Sequence, residues 1–270
     1  MASRAPASTR PLAVVTGASS GIGYELAKQF ARNGFDLVIA AEDPGIVGVV
    51  AAFEGLGAWV KSVQVDLAKA EGVQKLHSTL QQLGRPVDAI AINAGVGVGG
   101  DFARQTDLQA ELNLINLNVT SSVHLAKLVL KDMVARNQGR VLFTSSIAAT
   151  MPGPFEAVYA ASKSFLLSFS EALRNELKDT KITVTALMPG PTETNFFHRA
   201  GMDDTRVGAQ KKDSAEEVAR QGYEALMAGK DKVIAGSLSN KVMAVAAAVL
   251  PQPVAAEGHR RLSEPGSAKH

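Results

Sequence analysis

The sequence contains no cysteine among its 270 residues, only 5% aromatic residues and almost no net charge. Without thiols, disulfides, thiolate metal sites and cysteine nucleophiles are excluded, which fits a reducing compartment such as the cytoplasm. Twenty-eight basic and 26 acidic residues leave a net charge of +2, and their scatter gives no patch for nucleic acid. The five histidines form no ligand spacing, so we expect no metal site.

Long apolar runs are also missing. The longest, Val242–Leu250, has nine residues, about half of a membrane span, so we expect no transmembrane helix and no membrane partner. Residues 1–10 contain no signal-peptide core and are predicted to be a flexible tail. The polar residues 257–270 are predicted to be a disordered tail. Residues 11–256 are then expected to form a single domain.

Within that domain, short apolar runs alternate with longer amphipathic stretches. Seven runs are predicted to be strands: Leu12–Thr16, Asp36–Ala41, Trp59–Val65, Val87–Ile92, Arg140–Thr144, Lys181–Leu187 and Lys232–Ala235. Their almost continuous apolarity predicts a doubly wound α/β fold, a parallel sheet with helices on both faces. Helices are predicted at Ile22–Asn33, Ala103–Arg136, Glu156–Lys178 and Ser214–Met227, with a weaker helix at Gly45–Gly57.

A glycine-rich turn follows the first predicted strand and opens a helix. It reads TGASSGIG, from Thr16 to Gly23, with the spacing Gly-x3-Gly-x-Gly. Glycines let a backbone approach a pyrophosphate closely, and free N–H groups at the start of a helix attract its charge. The alternative is a tight strand-to-helix turn that binds no ligand.

A second motif pairs Tyr159 with Lys163, four residues apart and therefore on one face of a helix. An ammonium beside a phenol lowers the pKa of the phenol, which would make Tyr159 a proton donor and acceptor nearer neutral pH. In isolation such a pair is more often a surface or packing contact. Its significance comes from Ser146, thirteen residues upstream at the end of a strand, and from Asn93-Ala94-Gly95, which closes the fourth strand.

Together these motifs resemble the classical short-chain dehydrogenase/reductase family, over about Leu12–Ala235. The resemblance implies a single-domain Rossmann-type fold and an enzyme that transfers a hydride between NAD or NADP and a secondary alcohol or carbonyl compound. It also implies that Ser146 binds the substrate oxygen, Tyr159 exchanges the proton, and Lys163 binds the nicotinamide ribose and tunes Tyr159. Asn118 resembles the helix-bending Asn whose backbone holds a water in the proton relay; alternatively it is an ordinary capping or interior Asn.

The resemblance further implies a set of cofactor contacts. These residues are Gly17, Ser19, Ser20, Gly21, Ile22, Gly23, Glu42, Asp66, Leu67, Asn93, Ala94, Gly95, Tyr159, Lys163, Pro189, Gly190, Thr192 and Thr194. Asp66 matches the residue that holds the adenine amino group, although it could also cap the following helix. Thr194 ends a Pro-Gly-x3-Thr element and is expected to contact the nicotinamide carboxamide. A substrate lid is expected at about 195–213.

Glu42, nineteen residues after Gly23, favours NAD over NADP. A carboxylate at the end of the second strand accepts hydrogen bonds from the adenosine ribose and repels a 2′-phosphate. Ser20 is neutral where relatives that prefer NADP often carry a basic residue. Because the usual acidic residue of the family aligns better with Ala41, Glu42 is alternatively a solvated loop charge.

The expected partner is a small-molecule alcohol or carbonyl substrate. The alternative function is a dinucleotide-binding sensor or scaffold without turnover, although such proteins typically lose the Tyr or the Lys. The long predicted helices Ala103–Arg136 and Glu156–Lys178 correspond to the usual dimer interface of the family, so a homodimer or homotetramer is expected. The segment Val242–Val254 is either an interaction surface or an ordinary packed helix.

Overall fold

The computed structural model describes residues 9–238, 240–242 and 249–269. The strands are β1 (Leu12–Thr16), β2 (Asp36–Ala41), β3 (Val60–Gln64), β4 (Ala89–Ile92), β5 (Gly139–Thr144), β6 (Ile182–Pro189), β7 (Thr192–Glu193), β8 (Asp213–Ser214) and β9 (Lys232–Ala235). The helices are α1 (Gly21–Arg32), α2 (Val50–Glu54), α3 (Ala70–Leu83), α4 (Leu108–Ile115), α5 (Ser121–Arg136), α6 (Ala157–Glu176), α7 (Phe196–Arg199), α8 (Arg206–Ala209), α9 (Ala215–Met227) and α10 (Gln252–Ser263).

The main sheet has seven parallel strands in the order β3-β2-β1-β4-β5-β6-β9. Every residue of β1 and β2 is buried, because helices cover both faces. One core lies between the sheet and helices α1 and α9, and a second lies between the sheet and helices α3, α5 and α6. The order reverses between β1 and β4, which opens a crevice at the carboxyl ends of these strands. The predicted doubly wound, Rossmann-type fold is therefore confirmed.

The predicted strands agree closely with the observed ones, since β1, β2 and β9 have the predicted bounds and the other four differ by at most two residues at either end. The weak helix predicted at Gly45–Gly57 is split into a 3-10 turn, Pro44–Val47, and the short α2. Ser214 caps α9 by accepting a hydrogen bond from the Glu217 N–H at 3.1 Å.

The single helix predicted at Ala103–Arg136 is wrong in two places. It begins only at Leu108, because the Asp107 carboxylate accepts the Ala110 N–H at 2.9 Å and caps α4 there. A π-helical turn, Asn116–Thr120, then separates α4 from α5. Helical periodicity continues through this turn, so a sequence pattern does not reveal it.

The C-terminus also differs from the expectation of a disordered tail at 257–270. Residues of this segment belong to α10 and to a 3-10 turn, Ser267–Lys269, so the predicted domain boundary at 256 falls inside a helix. The physical reason is tertiary packing: Ala255 and Ser263 on one side of α10 are buried, while its charged residues Glu257, Arg260 and Arg261 are exposed. The polar composition of residues 257–270 therefore did not reveal that part of this segment belongs to an amphipathic helix.

At the other end, Arg10 belonged to the predicted flexible tail, yet its Nε donates to the carbonyl oxygen of Gly34 at 3.0 Å. Residues 1–8 lie outside the described residues, and so do residues 243–248 of the segment Val242–Val254. Within the described ranges, no helix has the length and apolarity that a membrane crossing requires.

Candidate active site

A cavity of about 750 Å³ lies at the carboxyl ends of the strands. Among its lining residues are all the predicted cofactor contacts and three of the four predicted catalytic residues, Ser146, Tyr159 and Lys163. Asn118 is fully buried behind the cavity wall and is not one of the lining residues that the structure describes. The lid region and α10 complete the wall on the side of Tyr159.

The glycine turn allows the backbone to pass between β1 and α1 without side chains in the way. Gly17 and Gly21 have φ angles of +67° and +58°, which L side chains rarely adopt. A Cβ on Gly23 would lie 2.1 Å from the Gly17 carbonyl oxygen, so only glycine fits there. Within the described part of the chain the Ser20 side chain makes no capping hydrogen bond to α1, which leaves the first-turn N–H groups available. This turn fits a pyrophosphate.

Asn93 joins three neighbouring strands beside the turn. Its Nδ2 donates to the Thr16 carbonyl oxygen at 3.1 Å, and its Oδ1 accepts the Thr144 hydroxyl at 3.0 Å. The Thr16 hydroxyl in turn accepts the backbone N–H groups of Asn93 and Ala94 at 2.9 and 3.0 Å. The Asn-Ala-Gly element is thereby fixed to β1 and β5 at the floor of the crevice.

Asn118 lies in the π-helical turn and holds the loop after β4. Its Oδ1 accepts the Val96 N–H and its Nδ2 donates to the Val96 carbonyl oxygen, both at 3.0 Å. Nδ2 also lies 3.0 Å from the Ser162 hydroxyl oxygen on α6. A Cβ on Gly95 would lie 3.1 Å from Asn118 Oδ1 and 3.3 Å from Lys163 Nζ, so this glycine lets the loop approach both side chains.

Tyr159 and Lys163 lie one turn apart on α6 and line the cavity together, with Lys163 Nζ 5.6 Å from the centre of the tyrosine ring. Lys163 Nζ donates to the Thr144 carbonyl oxygen at 2.9 Å. The Ser146 hydroxyl accepts the Ala148 N–H at 3.1 Å and donates to the Pro189 carbonyl oxygen at 3.4 Å, and it lies near enough to Tyr159 to lower the pKa of the phenol. Ser145 instead donates to the Lys163 carbonyl oxygen at 2.7 Å, which places the hydroxyl of Ser146, not that of Ser145, beside the phenol.

The acidities of these groups differ from what the Tyr-Lys spacing alone predicts. Burial, and secondly the negative charge of Glu156, raise the pKa of Tyr159, while the hydrogen bond with Ser146 lowers it. Burial lowers the pKa of Lys163 to about 8. The pKa of Tyr159 is therefore raised and not lowered, so the expectation from its spacing to Lys163 is wrong for the protein alone, and Tyr159 holds its proton at neutral pH.

Acidic side chains lie at the far end of the cavity, beyond β2 and β3. Glu42 is exposed and lines the cavity, whereas Ala41, the position that aligns with the usual family acid, is buried in β2. Asp66 Oδ1 accepts the Ala68 N–H at 2.9 Å, so Asp66 stabilises the turn before α3, which begins only at Ala70. Its other oxygen pairs with Lys69 at 3.0 Å.

The expected lid contains the short helices α7 and α8 and is well packed. Phe197, Met202 and Val207 form a small apolar cluster within it. A Cβ on Gly99 would lie 2.4 Å from Met202 Cγ, so the lid sits directly on the loop after β4. His198, the lid histidine, is largely exposed and lies 2.6 Å from Asp203.

Sequence reasoning missed four residues of the site. Phe196 stacks at a tilt on Tyr159, with ring centres 5.1 Å apart. Glu156, His259 and Ser263 form a buried hydrogen-bonded cluster that also lines the cavity. Only Glu156 carried a signal, because it precedes Tyr159 by three residues and so shares its helix face. His259 lies in the segment predicted to be a disordered tail, yet its side chain is only 10% exposed.

The comparisons with known proteins agree with this geometry. The family model described as short chain dehydrogenase matches residues 11–205. Retinol dehydrogenase 8 from Bos taurus is 36% identical over 188 residues, and the match spans 68% of this chain but only 59% of that protein.

Two solved structures are similar in fold and hold nicotinamide dinucleotides. A short-chain dehydrogenase from Sphingobium yanoikuyae in complex with NADPH superposes with a TM-score of 0.77 at 30% identity, covering 83% of this chain and 87% of that one. A 3-ketoacyl-(acyl-carrier-protein) reductase from Brucella melitensis complexed with NADH superposes with a TM-score of 0.71 at 25% identity, covering 83% and 96%. The chain belongs to the short-chain dehydrogenase/reductase family of nicotinamide-dependent oxidoreductases.

Proposed function

We propose that this protein interconverts a secondary alcohol and a ketone or aldehyde, with Tyr159 as the proton donor and acceptor. One observation carries the proposal. Ser146, Tyr159 and Lys163 line the same cavity as the glycine turn, where the N–H groups at the start of α1 are available to a ligand. A packing pair on a helix would not need a serine hydroxyl near the phenol, nor a buried lysine beside it.

The residues of the cavity fit a nicotinamide dinucleotide. The N–H groups of the first turn of α1 would hold its pyrophosphate, Glu42 and Asp66 its adenosine, and Lys163 its nicotinamide ribose. Thr192, the first residue of β7, and Thr194, just after that strand, also line the cavity and would orient the nicotinamide. When bound there, this cofactor supplies or accepts the hydride.

The chain's own part in the reaction is proton transfer and orientation. In the reductive direction the carbonyl oxygen accepts hydrogen bonds from the Ser146 and Tyr159 hydroxyls and takes the proton of Tyr159 as the carbon is reduced. The ammonium of Lys163, buried near the ring, stabilises the phenolate that remains. Phe196 packs on the Tyr159 ring and limits its motion. Alcohol oxidation runs through the same groups in reverse.

We further propose that NAD is preferred over NADP. Glu42 lies directly after β2, exposed and on the cavity wall, where a 2′-phosphate would meet its charge. The described lining residues contain one lysine, Lys163, and one arginine, Arg199. Lys163 lies beside Tyr159 and Arg199 lies in the lid, so neither follows β2 as Glu42 does. The nearby Lys69 is paired with Asp66.

A homodimer or homotetramer is proposed as the assembled form. Helices α4, α5 and α6 expose large apolar side chains: Leu108, Leu112, Ile115, Val123, Val134 and Phe165. Exposed apolar clusters on a folded protein commonly mark contact surfaces.

The variant Tyr159→Phe tests the proposed reaction. It removes one hydroxyl and keeps the ring that packs on Phe196. Turnover with a panel of ketones and secondary alcohols should therefore fall by about 100-fold or more, whereas dinucleotide affinity should stay near that of the wild type. Tyr223→Phe is the matched control, because Tyr223 is buried against Phe30 in the core under α1 and α9. A protein that senses or scaffolds would bind dinucleotide and show no turnover to lose, which would refute the proposal.

A further inference from the structure

Helix α10 is held to the catalytic helix through one buried carboxylate. Glu156 immediately precedes α6, and its Oε2 accepts the Ser263 hydroxyl at 2.9 Å and lies 3.0 Å from His259 Nε2. The two α10 side chains also contact each other, with 3.2 Å between Ser263 Oγ and His259 Nε2. Glu156 and Ser263 are 5% and 1% exposed, so this cluster is shielded from water.

The loop before α6 packs closely against α10. A Cβ on Gly153 would lie 2.5 Å from Ala160 Cβ and 3.4 Å from His259 Nε2, so a larger residue would crowd both helices. Phe155 has a φ of +64°, a left-handed conformation that non-glycine residues seldom adopt. Its carbonyl oxygen accepts the Gly100 N–H at 2.8 Å, and the Arg260 guanidinium lies 4.9 Å from the centre of its ring. This strained turn is therefore supported from α10 as well as from the loop after β4.

The C-terminal segment also contacts the lid, through apolar packing and hydrogen bonds. Leu262 packs on the apolar cluster of the lid that contains Phe197. After α10, the Gly266 N–H donates to Asp204 Oδ2 at 2.8 Å, and Arg206 Nε donates to the Ser267 carbonyl oxygen at 3.2 Å. The C-terminal segment consequently connects the lid to the loop that precedes the catalytic helix.

One face of α10 forms cavity wall. Its lining residues recur every three or four positions, as one helix face requires: Val254, Ala255, Gly258, His259, Leu262 and Ser263. The catalytic Tyr159 and the apolar Met151, Phe196 and Val207 line the same cavity. Except for the Glu156 cluster, the surface that a substrate would meet between Tyr159 and α10 is mainly hydrocarbon.

We propose that Glu156, His259 and Ser263 form a clamp that fixes α10 as the wall against which the apolar part of a bulky carbonyl or alcohol substrate binds. Glu156 is thus a positioning residue, and α10 is a specificity-determining element that follows the part of the chain matched by the family model. Breaking the clamp leaves a buried carboxylate without donors, which favours water entry and detachment of α10. The inference about the substrate rests on the proposed function.

Hydrogen–deuterium exchange tests the clamp without needing a substrate. In the double variant His259→Ala/Ser263→Ala, amides of residues 252–263 should exchange about tenfold faster or more, because two hydrogen bonds to a charged group are lost. The lid, residues 196–210, should also exchange faster. Glu156→Gln keeps an acceptor for both side chains and should retain the protection, whereas Glu156→Ala should not. Arg261→Ala is the matched control, since it removes an exposed ion pair with Glu257 on the same helix.

Kinetics test the specificity role with ketones of increasing apolar bulk. In the double variant, KM for the bulkiest ketones should rise by about tenfold while KM for the smallest ketones and dinucleotide affinity change little. Unchanged exchange in the double variant would overturn the clamp, and faster exchange with an unchanged KM would overturn the substrate wall. If the wild type turns over no carbonyl compound, the proposed function and the substrate wall fall together, while the exchange result still decides the clamp.

Discussion

Replacing Gly23 by alanine tests the packing that shapes the glycine turn. The new Cβ would lie 2.1 Å from the Gly17 carbonyl oxygen and 2.6 Å from Asn93 Nδ2, far inside van der Waals contact. Both neighbours are fixed, one as backbone and the other by hydrogen bonds to Thr16 and Thr144, so α1 must move away from the turn. Overpacking of this kind costs about 1–3 kcal/mol of unfolding free energy.

That cost should appear in two measurements. At roughly 2–4 °C per kcal/mol for a protein of this size, Gly23→Ala should lower the melting temperature by about 2–12 °C. Because the N–H groups of the first turn of α1 are displaced, calorimetric titration should show dinucleotide binding weakened by about tenfold or more.

Gly48→Ala provides the control. Gly48 has a φ of −67°, and the nearest atom to its added Cβ is 3.4 Å away, so the substitution should leave the melting temperature unchanged or slightly higher. The reasoning is refuted if Gly23→Ala melts and binds dinucleotide as the wild type does.

Three further outcomes follow from the structure. Burial and the Glu156 charge raise the pKa of Tyr159, so alcohol oxidation, which needs the phenolate, should accelerate as pH rises, and Glu156→Gln should move that rise in the pH–rate profile to lower pH. Asp36→Ala leaves the largely buried Arg85, 2.7 Å away, without its carboxylate and should cost about 3–5 kcal/mol in urea titrations. Leu112→Glu charges an exposed apolar helix surface and should shift the light-scattering mass towards that of the monomer.

The sheet and the residues proposed to bind the dinucleotide were predictable, because they depend on neighbouring residues in the sequence. A buried parallel strand needs an apolar run, and β1 and β2 show one within the predicted bounds. The turn between β1 and α1 needs residues without a Cβ, so its glycines occur at fixed spacing. The Tyr-Lys spacing places both side chains on one face of α6 whatever the rest of the chain does.

The remaining features depend on contacts between distant residues. The π-helical turn inside the predicted helix Ala103–Arg136 contains Asn118, whose side chain bonds to Val96, 22 positions away. Helix α10 forms against Glu156, more than 100 positions upstream, which its polar composition does not reveal. The pKa of Tyr159 rises because of burial, which the spacing to Lys163 does not contain. The charge, the composition and the periodicity of apolar residues in a sequence do not indicate which distant residues will contact each other.

Separate calorimetric titrations of the wild-type protein with NADH and NADPH test the central claim most directly, since they need no knowledge of the substrate. The cavity and Glu42 predict saturable binding of NADH at least about tenfold tighter than NADPH, a difference of about 1.4 kcal/mol. Tighter binding of NADPH would contradict the role given to Glu42. Binding of neither dinucleotide would contradict the assignment of the cavity itself.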